Sequence, residues 1–327
     1  MPVPSTLPFP AAHQFDCQIA DENQCALTER WLRPEMEGIA ADLLLIRRKV
    51  DAHFARLQSR EHTQQPSHLS SFYHIQAYPY GYCERIRNMV WDTIQHQFQH
   101  PARATPHIGI LKQFSAAGGL MRKIWGELTH GPYLQNAIQL GAYYVDAAND
   151  TVDITKPKLE IKLLGDTTFR NIVSFEQYFD IVDTYYQWDT YPNLYFPDLA
   201  PLYPGIAIHR TAGMLLLCDI PLPLMYKNLQ SCGALAHRFL FDSCYATKDL
   251  SAQHQRLLRE FQQHFHLRAQ NSHERAIAAI EQQYRQLQQW LQQQTRAADV
   301  EARIVALDTT RKKLDHALRR FSLPAEV

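Results

Sequence analysis

Four side chains that can bind a cation or transfer a proton lie close together in the middle of the chain. Asp146, Asn149, Asp150 and Asp153 follow residues 142–145, a short aromatic run that is typical of a β-strand. Carboxylate oxygens are preferred ligands of divalent cations, and ligands often bind where the strands of an open α/β sheet end. The spacing therefore favours a cation site at the end of this strand.

The same residues also have a purely structural interpretation. Asn and Asp are preferred turn formers because their side chains hydrogen-bond the local backbone. On this interpretation residues 143–145 and 151–154 form a β-hairpin, and the acids between them only shape its turn. The sequence leaves both interpretations open.

The region around these acids resembles the nucleotide-sugar-dependent glycosyltransferases of the GT-A fold. In that family a helix leads into a Gly-x-Tyr-x-Asp strand, and an Asp-x-Asp pair follows. The corresponding residues here are Gly141, Tyr143, Tyr144 and Asp146. The similarity covers residues 120–163 and departs from the family pattern at one point, since residue 148 is Ala and the next acid is Asp150.

The resemblance implies an enzyme that transfers a sugar from a nucleotide-sugar donor to an acceptor. Asp146 and Asp150 would be catalytic and would hold a divalent metal, Mn²⁺ or Mg²⁺, which neutralises the charge of the leaving diphosphate. A second carboxylate can act as general base for the acceptor hydroxyl. Glu127 is the candidate for this role, with His130 also close in sequence, and Tyr144 would contact the donor.

A glycine-rich segment upstream could hold the phosphates of such a donor. Gly118 and Gly119 lie between a predicted strand and a predicted helix, and the backbone N–H groups of a strand-to-helix turn can cradle phosphate. Lys123 follows closely and is a candidate phosphate ligand. Three other basic residues could serve instead: Arg122, Lys156 and Lys158.

Cys83 suggests a different kind of enzyme. The pattern places this residue at the N-terminus of a helix that follows a strand, a position that lowers the pKa of a thiol. His130 or His209 could pair with it for nucleophilic catalysis. A buried structural thiol is the alternative, and the six cysteines show neither a Cys-x-x-Cys pair nor zinc-ligand spacing.

The elements that would position these candidates alternate between strand and helix. Strands are predicted at residues 72–78, 107–114 and 142–145. Helices are predicted at residues 83–95, 120–128 and 133–140. This alternation predicts the α/β class, with a central mixed, partly parallel sheet.

Both ends of the chain carry amphipathic helical patterns. Apolar residues recur in steps of three and four after Pro34 and again along the last ninety or so residues, where Gly and Pro are absent until Pro324. The expected solution is an antiparallel bundle of the N- and C-terminal helices, and the alternative is a homodimer through the C-terminal seams. The predicted divisions are a tail at 1–25, a helical segment at 26–67, an α/β domain at 68–235 and a coiled-coil segment at 236–327.

Composition limits the partners. Lys plus Arg and Asp plus Glu both number 33, so no net charge attracts nucleic acid. Residues 213–226, the most apolar window, contain Asp219, Pro221 and Pro223 and cannot span a membrane. No secretory signal is recognisable, so a cytoplasmic protein is expected.

The alternative to an enzyme is a non-enzymatic scaffold or interaction protein that binds partners through its helical seams.

Overall fold

The computed structural model describes residues 15–61, 78–129, 133–210, 213–267, 273–293 and 297–322. The chain divides into two compact units, an N-terminal unit spanning Gln14–Ile172 and a C-terminal unit spanning Val173–Val327. Each unit has its own sheet, and every pair of neighbouring strands is antiparallel.

In the N-terminal unit, helices come first along the chain and strands follow. The helices are α1 (Glu22–Leu27), α2 (Met36–Glu61), α3 (Cys83–Gln99) and α4 (Ile108–Ala116). The strands are β1 (Met121–Leu128), β2 (Tyr133–Leu140), β3 (Tyr143–Asp146), β4 (Glu160–Leu163) and β5 (Phe169–Asn171). Their order in the sheet is β4-β3-β2-β1-β5.

The two faces of this sheet have different partners. Ile138 pairs with Val145 across β2 and β3, and both belong to the hydrophobic core that α2, α3 and α4 share. Side chains alternate along a strand, so the neighbouring residues Ala137 and Tyr144 lie on the opposite face, where they form a smaller cluster with Ile124. We call these the helix face and the outer face of the sheet.

A short N-terminal segment crosses the outer face and is held there by side-chain amides. The backbone N–H of Cys17 donates to Asn171 Oδ1 at 2.8 Å, and Asn171 Nδ2 donates back to the Cys17 carbonyl at 3.0 Å. Gln139 makes the same pair of contacts with Gln18, at 3.0 and 2.7 Å. We call this arrangement the amide clamp, since each amide pairs with both polar groups of one peptide residue.

Helix α2 confirms the amphipathic helix predicted after Pro34. Ile39, Leu43, Ile46 and Val50 are buried at the predicted spacing. Its stripe faces α3 and the rest of the N-terminal core.

The C-terminal unit contains a second sheet and the remaining helices. Its strands, in the order β6-β7-β8, are β6 (Trp188–Pro192), β7 (Gly205–His209) and β8 (Leu215–Leu217). Its helices are α5 (Phe175–Thr184), α6 (Leu222–Gln230), α7 (Ala234–Phe241), α8 (Ala252–His264), α9 (His273–Gln293) and α10 (Ala297–Ser322).

Helices α9 and α10 carry the predicted seams, and both seams are largely buried. The α9 seam is buried at Ile280, Tyr284, Leu287 and Leu291, and the α10 seam at Val300, Ile304 and Leu318. Helix α10 packs against β8, and the Tyr284 ring of α9 lies 5.4 Å from that of His237 in α7. Elements of the same unit therefore cover each seam, which corrects the predicted bundle of N- and C-terminal helices.

The predicted α/β class with a partly parallel sheet is wrong, because both sheets are antiparallel. The predicted helices at 120–128 and 133–140 are the adjacent strands β1 and β2, and the predicted strand at 107–114 is helix α4. The helix predicted from Cys83 and the strand at 142–145 are confirmed. Apart from Tyr78, the strand predicted at 72–78 lies outside the described residues.

The reason for the main error is burial on both sides. Residues 134–140 of β2 are all buried, and they include Gln135, Asn136 and Gln139. A strand that is covered on both faces loses the alternation of polar and apolar residues that identifies it in a sequence. No helix in the described part of the chain has the length and apolarity needed to cross a membrane.

Candidate acid–base site around Asp146

Asp146 is the last residue of β3, and two donors orient its carboxyl group. The backbone N–H of Ala148 donates to Oδ1 at 2.8 Å, which closes a tight turn at the end of the strand. Gln135 Nε2, from the neighbouring strand, donates to Oδ2 and lies 2.6 Å from the hydroxyl oxygen of Tyr144. Asp146, Gln135 and Tyr144 thus form one buried polar group on the outer face.

The surroundings of Asp146 favour its protonated form. The residue is 3% exposed, and burial raises the pKa of its carboxyl group to about 7. The Ala148 N–H, the Gln135 amide and the positive charge of Arg47 oppose this rise, and the nearby Glu160 carboxylate adds to it. Burial raises the pKa of the Tyr144 hydroxyl well above its usual value, so that hydroxyl keeps its proton. A carboxyl group with a pKa near 7 can both accept and donate a proton at neutral pH.

Asp150 lies four residues further along, in a short turn spanning Asn149–Thr151, and has a cationic partner. Arg47 of α2 donates from Nη1 to Asp150 Oδ1 at 2.8 Å and from Nη2 to Oδ2 at 3.1 Å. The ammonium of Lys158 lies 3.7 Å from Oδ2. Both carboxylate oxygens of Asp150 therefore belong to a two-pronged ion pair, the strongest geometry between these groups.

Arg47 connects α2 to the whole loop that follows β3. Besides Asp150, its guanidinium donates to the Ala147 carbonyl at 2.8 Å and to Asp51 at 2.8 Å. Asp51 in turn accepts from Lys158 at 2.6 Å. Burial alone would lower the pKa of Arg47, but Asp150 and Tyr78 raise it above its usual value. Two cations and two carboxylates thus balance one another in a structural cluster.

Asp146 and Asp150 do not fit a resident divalent ion. A metal ion on Asp150 would have to displace the Arg47 guanidinium from both oxygens, and the charge of Lys158 would repel it. Within the described ranges, no three His, Cys, Asp or Glu side chains converge as metal ligands.

Glu127 is not brought to Asp146. The register pairs Glu127 with Leu134 and Ile124 with Ala137, so Glu127 lies on the helix face of the sheet. Its carboxylate is buried and forms an ion pair with Arg170 of β5. A role for Glu127 as base in an Asp146 site thus gains no support from its position.

Gly118 and Gly119 also lie in a different kind of turn from the predicted one. Gly118 and Gly119 lie between α4 and β1, in a helix-to-strand turn rather than the predicted strand-to-helix turn. Their N–H groups donate to the carbonyls of Ser115 and Phe114, which ends the helix. Gly118 has a φ of +90°, which explains the glycine at that position.

Of the remaining candidates, only some lie near Asp146. Tyr144 joins Asp146 through Gln135, whereas Lys123 lies on the helix face. Cys83 begins α3 as predicted and is half-buried, and desolvation of its thiol raises the pKa to about 11. The predicted lowering of that pKa is therefore wrong, and the thiol is protonated at neutral pH. His130 lies outside the described residues.

Sequence reasoning missed Gln135 and Arg47. Arg47 continues the apolar stripe of α2, four residues after Leu43 and three before Val50, and this position signalled a buried charge. Gln135 carries no comparable signal, because its role depends on the pairing of β2 with β3.

Comparisons with known proteins add no relative. No protein-family model matches the chain. No curated protein and no solved structure shows significant similarity to it. The resemblance to GT-A glycosyltransferases stays a prediction from the sequence.

Proposed function

We propose that the N-terminal unit is catalytic and that Asp146 transfers a proton to or from a hydroxyl group of the substrate. The observation that carries this proposal is the Asp146 carboxyl group itself, which is buried, oriented by two donors and has a pKa of about 7. Shifted carboxyl pKa values of this kind are what general acid–base catalysis at neutral pH requires.

Gln135 and Tyr144 act in this proposal as positioning residues. The Gln135 amide fixes the direction of the Asp146 carboxyl group, and its contact with the Tyr144 hydroxyl fixes the amide. A base that is held in one orientation loses little entropy when the substrate hydroxyl arrives. General acid–base catalysis typically contributes a factor of about 10² to 10⁴ in rate.

The sequence resemblance supports the substrate class. It implies a glycosyl transfer from a nucleotide sugar to an acceptor. In that reaction Asp146 accepts the proton of an acceptor hydroxyl while the new bond to the sugar forms, the bond between sugar and phosphate breaks, and the nucleotide leaves. The Arg47–Asp150 pair serves to hold the loop after β3, next to Asp146. A nucleotide sugar and a hydroxyl acceptor are thus the proposed substrates.

The test is donor consumption by the full chain. UDP-, GDP- and CMP-sugars are incubated with the protein, with and without Mn²⁺, and the released nucleotide is quantified. We expect release from one donor class, and a rate at least about 100-fold lower in Asp146→Asn. Asp166→Asn is the matched control, because Asp166 is an exposed acid in another turn of the same unit.

A pH profile separates chemistry from structure. Wild-type kcat/KM is expected to change with an inflection near pH 7, the pKa of Asp146, and the Asp146→Asn variant should show no such inflection. Undiminished turnover in Asp146→Asn would disprove the role of this residue. Failure to consume any nucleotide sugar would disprove the substrate class.

No specific observation among the described residues favours the scaffold alternative. It was based on the seams of α9 and α10, and those residues are largely buried within the C-terminal unit. A partner or a second copy would therefore have to bind a surface other than the two seams.

A further inference from the structure

A second group of polar side chains lies on the helix face of the same sheet, on the side opposite to Asp146. Lys123 pairs with Ile138, and Asn136 pairs with Trp125, so Lys123 and Asn136 both point to the side covered by α3. Cys83 and Arg87, one turn apart on α3, face them.

Arg87 is a buried cation with little compensation. It is 3% exposed, its Nη1 donates to the Ile124 carbonyl at 3.0 Å, directly beside Lys123, and its Nε donates to Asn88 Oδ1 at 3.1 Å. Among the residues that the structure describes, the only carboxylate within 4.0 Å of its guanidinium is that of Glu84, at 3.8 Å. Because the Glu84 side chain is 69% exposed, solvent screens its charge. Buried charges are normally paired far more completely.

Lys123 adds a second cation. Lys123 is half-buried, and its ammonium lies over the Phe15 ring, 5.8 Å from the ring centroid, within cation–π range. No residue in the described ranges gives it a hydrogen bond or an ion pair. Burial lowers the pKa of Lys123, and the positive charge of Arg87 lowers it further, since the two cations are close. Glu84 and Asp92 partly offset this effect, and both are exposed.

Asn136 supplies an unused acceptor in the same place. The residue is buried, and its Nδ2 lies 3.4 Å from the Cys83 sulfur. Its Oδ1 has no hydrogen-bond donor among the described residues. Buried amide oxygens without a donor are rare and call for a specific explanation, such as a ligand or an ordered water.

We propose that Arg87, Lys123 and Asn136 form a binding site for a small phosphate ester that carries a hydroxyl group. The phosphate lies between the two cations, where charge-assisted hydrogen bonds compensate both. The hydroxyl group donates to Asn136 Oδ1. The N-terminal turn of α3, which begins at Cys83, adds the positive end of a helix dipole. Sugar phosphates and nucleotides have this chemistry.

The site is independent of the proposed acid–base function, since Asp146 lies on the other face of the sheet. Asp146→Asn should therefore leave phosphate binding unchanged, so each proposal can fail alone.

The test is calorimetric titration of the full chain with ribose 5-phosphate, inorganic phosphate and ribose. We expect ribose 5-phosphate to bind about tenfold more tightly than inorganic phosphate, and ribose not to bind at about 10 mM. Lys123→Gln should lower the affinity for ribose 5-phosphate and for inorganic phosphate by about tenfold or more. Lys162→Gln is the matched control, an exposed lysine on β4 of the same sheet.

Asn136→Ala distinguishes the hydroxyl contact from the charges. It should remove the preference for ribose 5-phosphate and leave the affinity for inorganic phosphate unchanged. This variant and Lys123→Gln keep the test valid even if replacing the buried Arg87 prevents folding. Equal binding by folded Lys123→Gln, or no binding of either phosphate at about 10 mM, would overturn the proposal.

Discussion

Asp146 and Asp150 are four residues apart and similarly buried, but their direct partners differ in charge. Asp150 faces the guanidinium of Arg47 and the ammonium of Lys158. Asp146 is oriented only by neutral donors, the Gln135 amide and the Ala148 N–H, and its pKa is about 7. The same side chain is thus part of an ion-pair cluster in one place and a carboxyl group with a pKa near 7 in the other.

The difference between the two acids lies in the charge of their direct partners, since both are buried to a similar extent. Two cations lie within 4 Å of the Asp150 carboxylate, whereas the Asp146 carboxyl group accepts hydrogen bonds from an amide and a backbone N–H. Although the two acids are close in the sequence, their side chains have different partners. Three substitutions test this contrast.

The largest effect is expected where the ion pair is broken. Arg47→Met leaves Asp150 buried without its main cation, which should lower the free energy of unfolding by about 3–5 kcal/mol, as for other broken buried pairs. Urea denaturation measures this loss. The double variant Arg47→Met, Asp150→Asn should recover part of it, because no unpaired charge remains. A loss below about 1 kcal/mol in the single variant would place the pair among weak surface bridges.

The next effect depends on pH and concerns Asp146. Its pKa rises from 3.8 to about 7 on folding, so the folded state holds an extra proton between these values. The free energy of unfolding should therefore fall as pH rises through this window, by up to about 4 kcal/mol from this group. Asp146→Asn should remove that part of the pH dependence, measured by urea denaturation at pH 5 and pH 8. Identical pH slopes in variant and wild type would contradict the raised pKa.

The smallest effect is expected at the exposed edge of the Arg47 cluster. The Lys158 side chain is 43% exposed, and its bridge to Asp51 is screened by solvent. Lys158→Met should therefore cost at most about 1 kcal/mol, measured in the same denaturation assay. Lys156→Met, at a neighbouring exposed lysine, is the control. A loss as large as that of Arg47→Met would show that Lys158, rather than Arg47, is the main partner of Asp150.

The helices with one apolar face could be predicted from the sequence. The stripes of α2, α9 and α10 were predicted with their buried residues, because each helix is polar on its other side. Helix α4 was missed although Ile108, Leu111 and Phe114 are buried at steps of three, since its many apolar residues also suit a strand.

The antiparallel sheet was hidden for a different reason. Strand β2 has buried polar residues on both faces, and β1 has a run of four consecutive buried residues that includes Glu127, so neither shows the alternation of a half-exposed strand. The Gly131-Pro132 pair between them is a turn signal that could have indicated a hairpin.

The residues around Asp146 could likewise be predicted only in part. Asp146 and Tyr144 could be proposed from a local pattern, but Gln135 belongs to another strand, and the Arg47 partner of Asp150 is 103 residues away. Such pairings depend on the completed fold. No local spacing encodes them, and here they decide which acid titrates.

The amide clamp of Gln139 and Asn171 makes this unit sensitive to a slow chemical change. Each amide donates to a carbonyl and accepts from an N–H of the same peptide residue, Gln18 or Cys17. Deamidation would preserve the shape of the side chain but remove its donor. A carboxylate oxygen would then face the carbonyl oxygen of that residue. Ageing of a single amide would thus turn an attractive contact into a repulsive one and release the segment from the sheet.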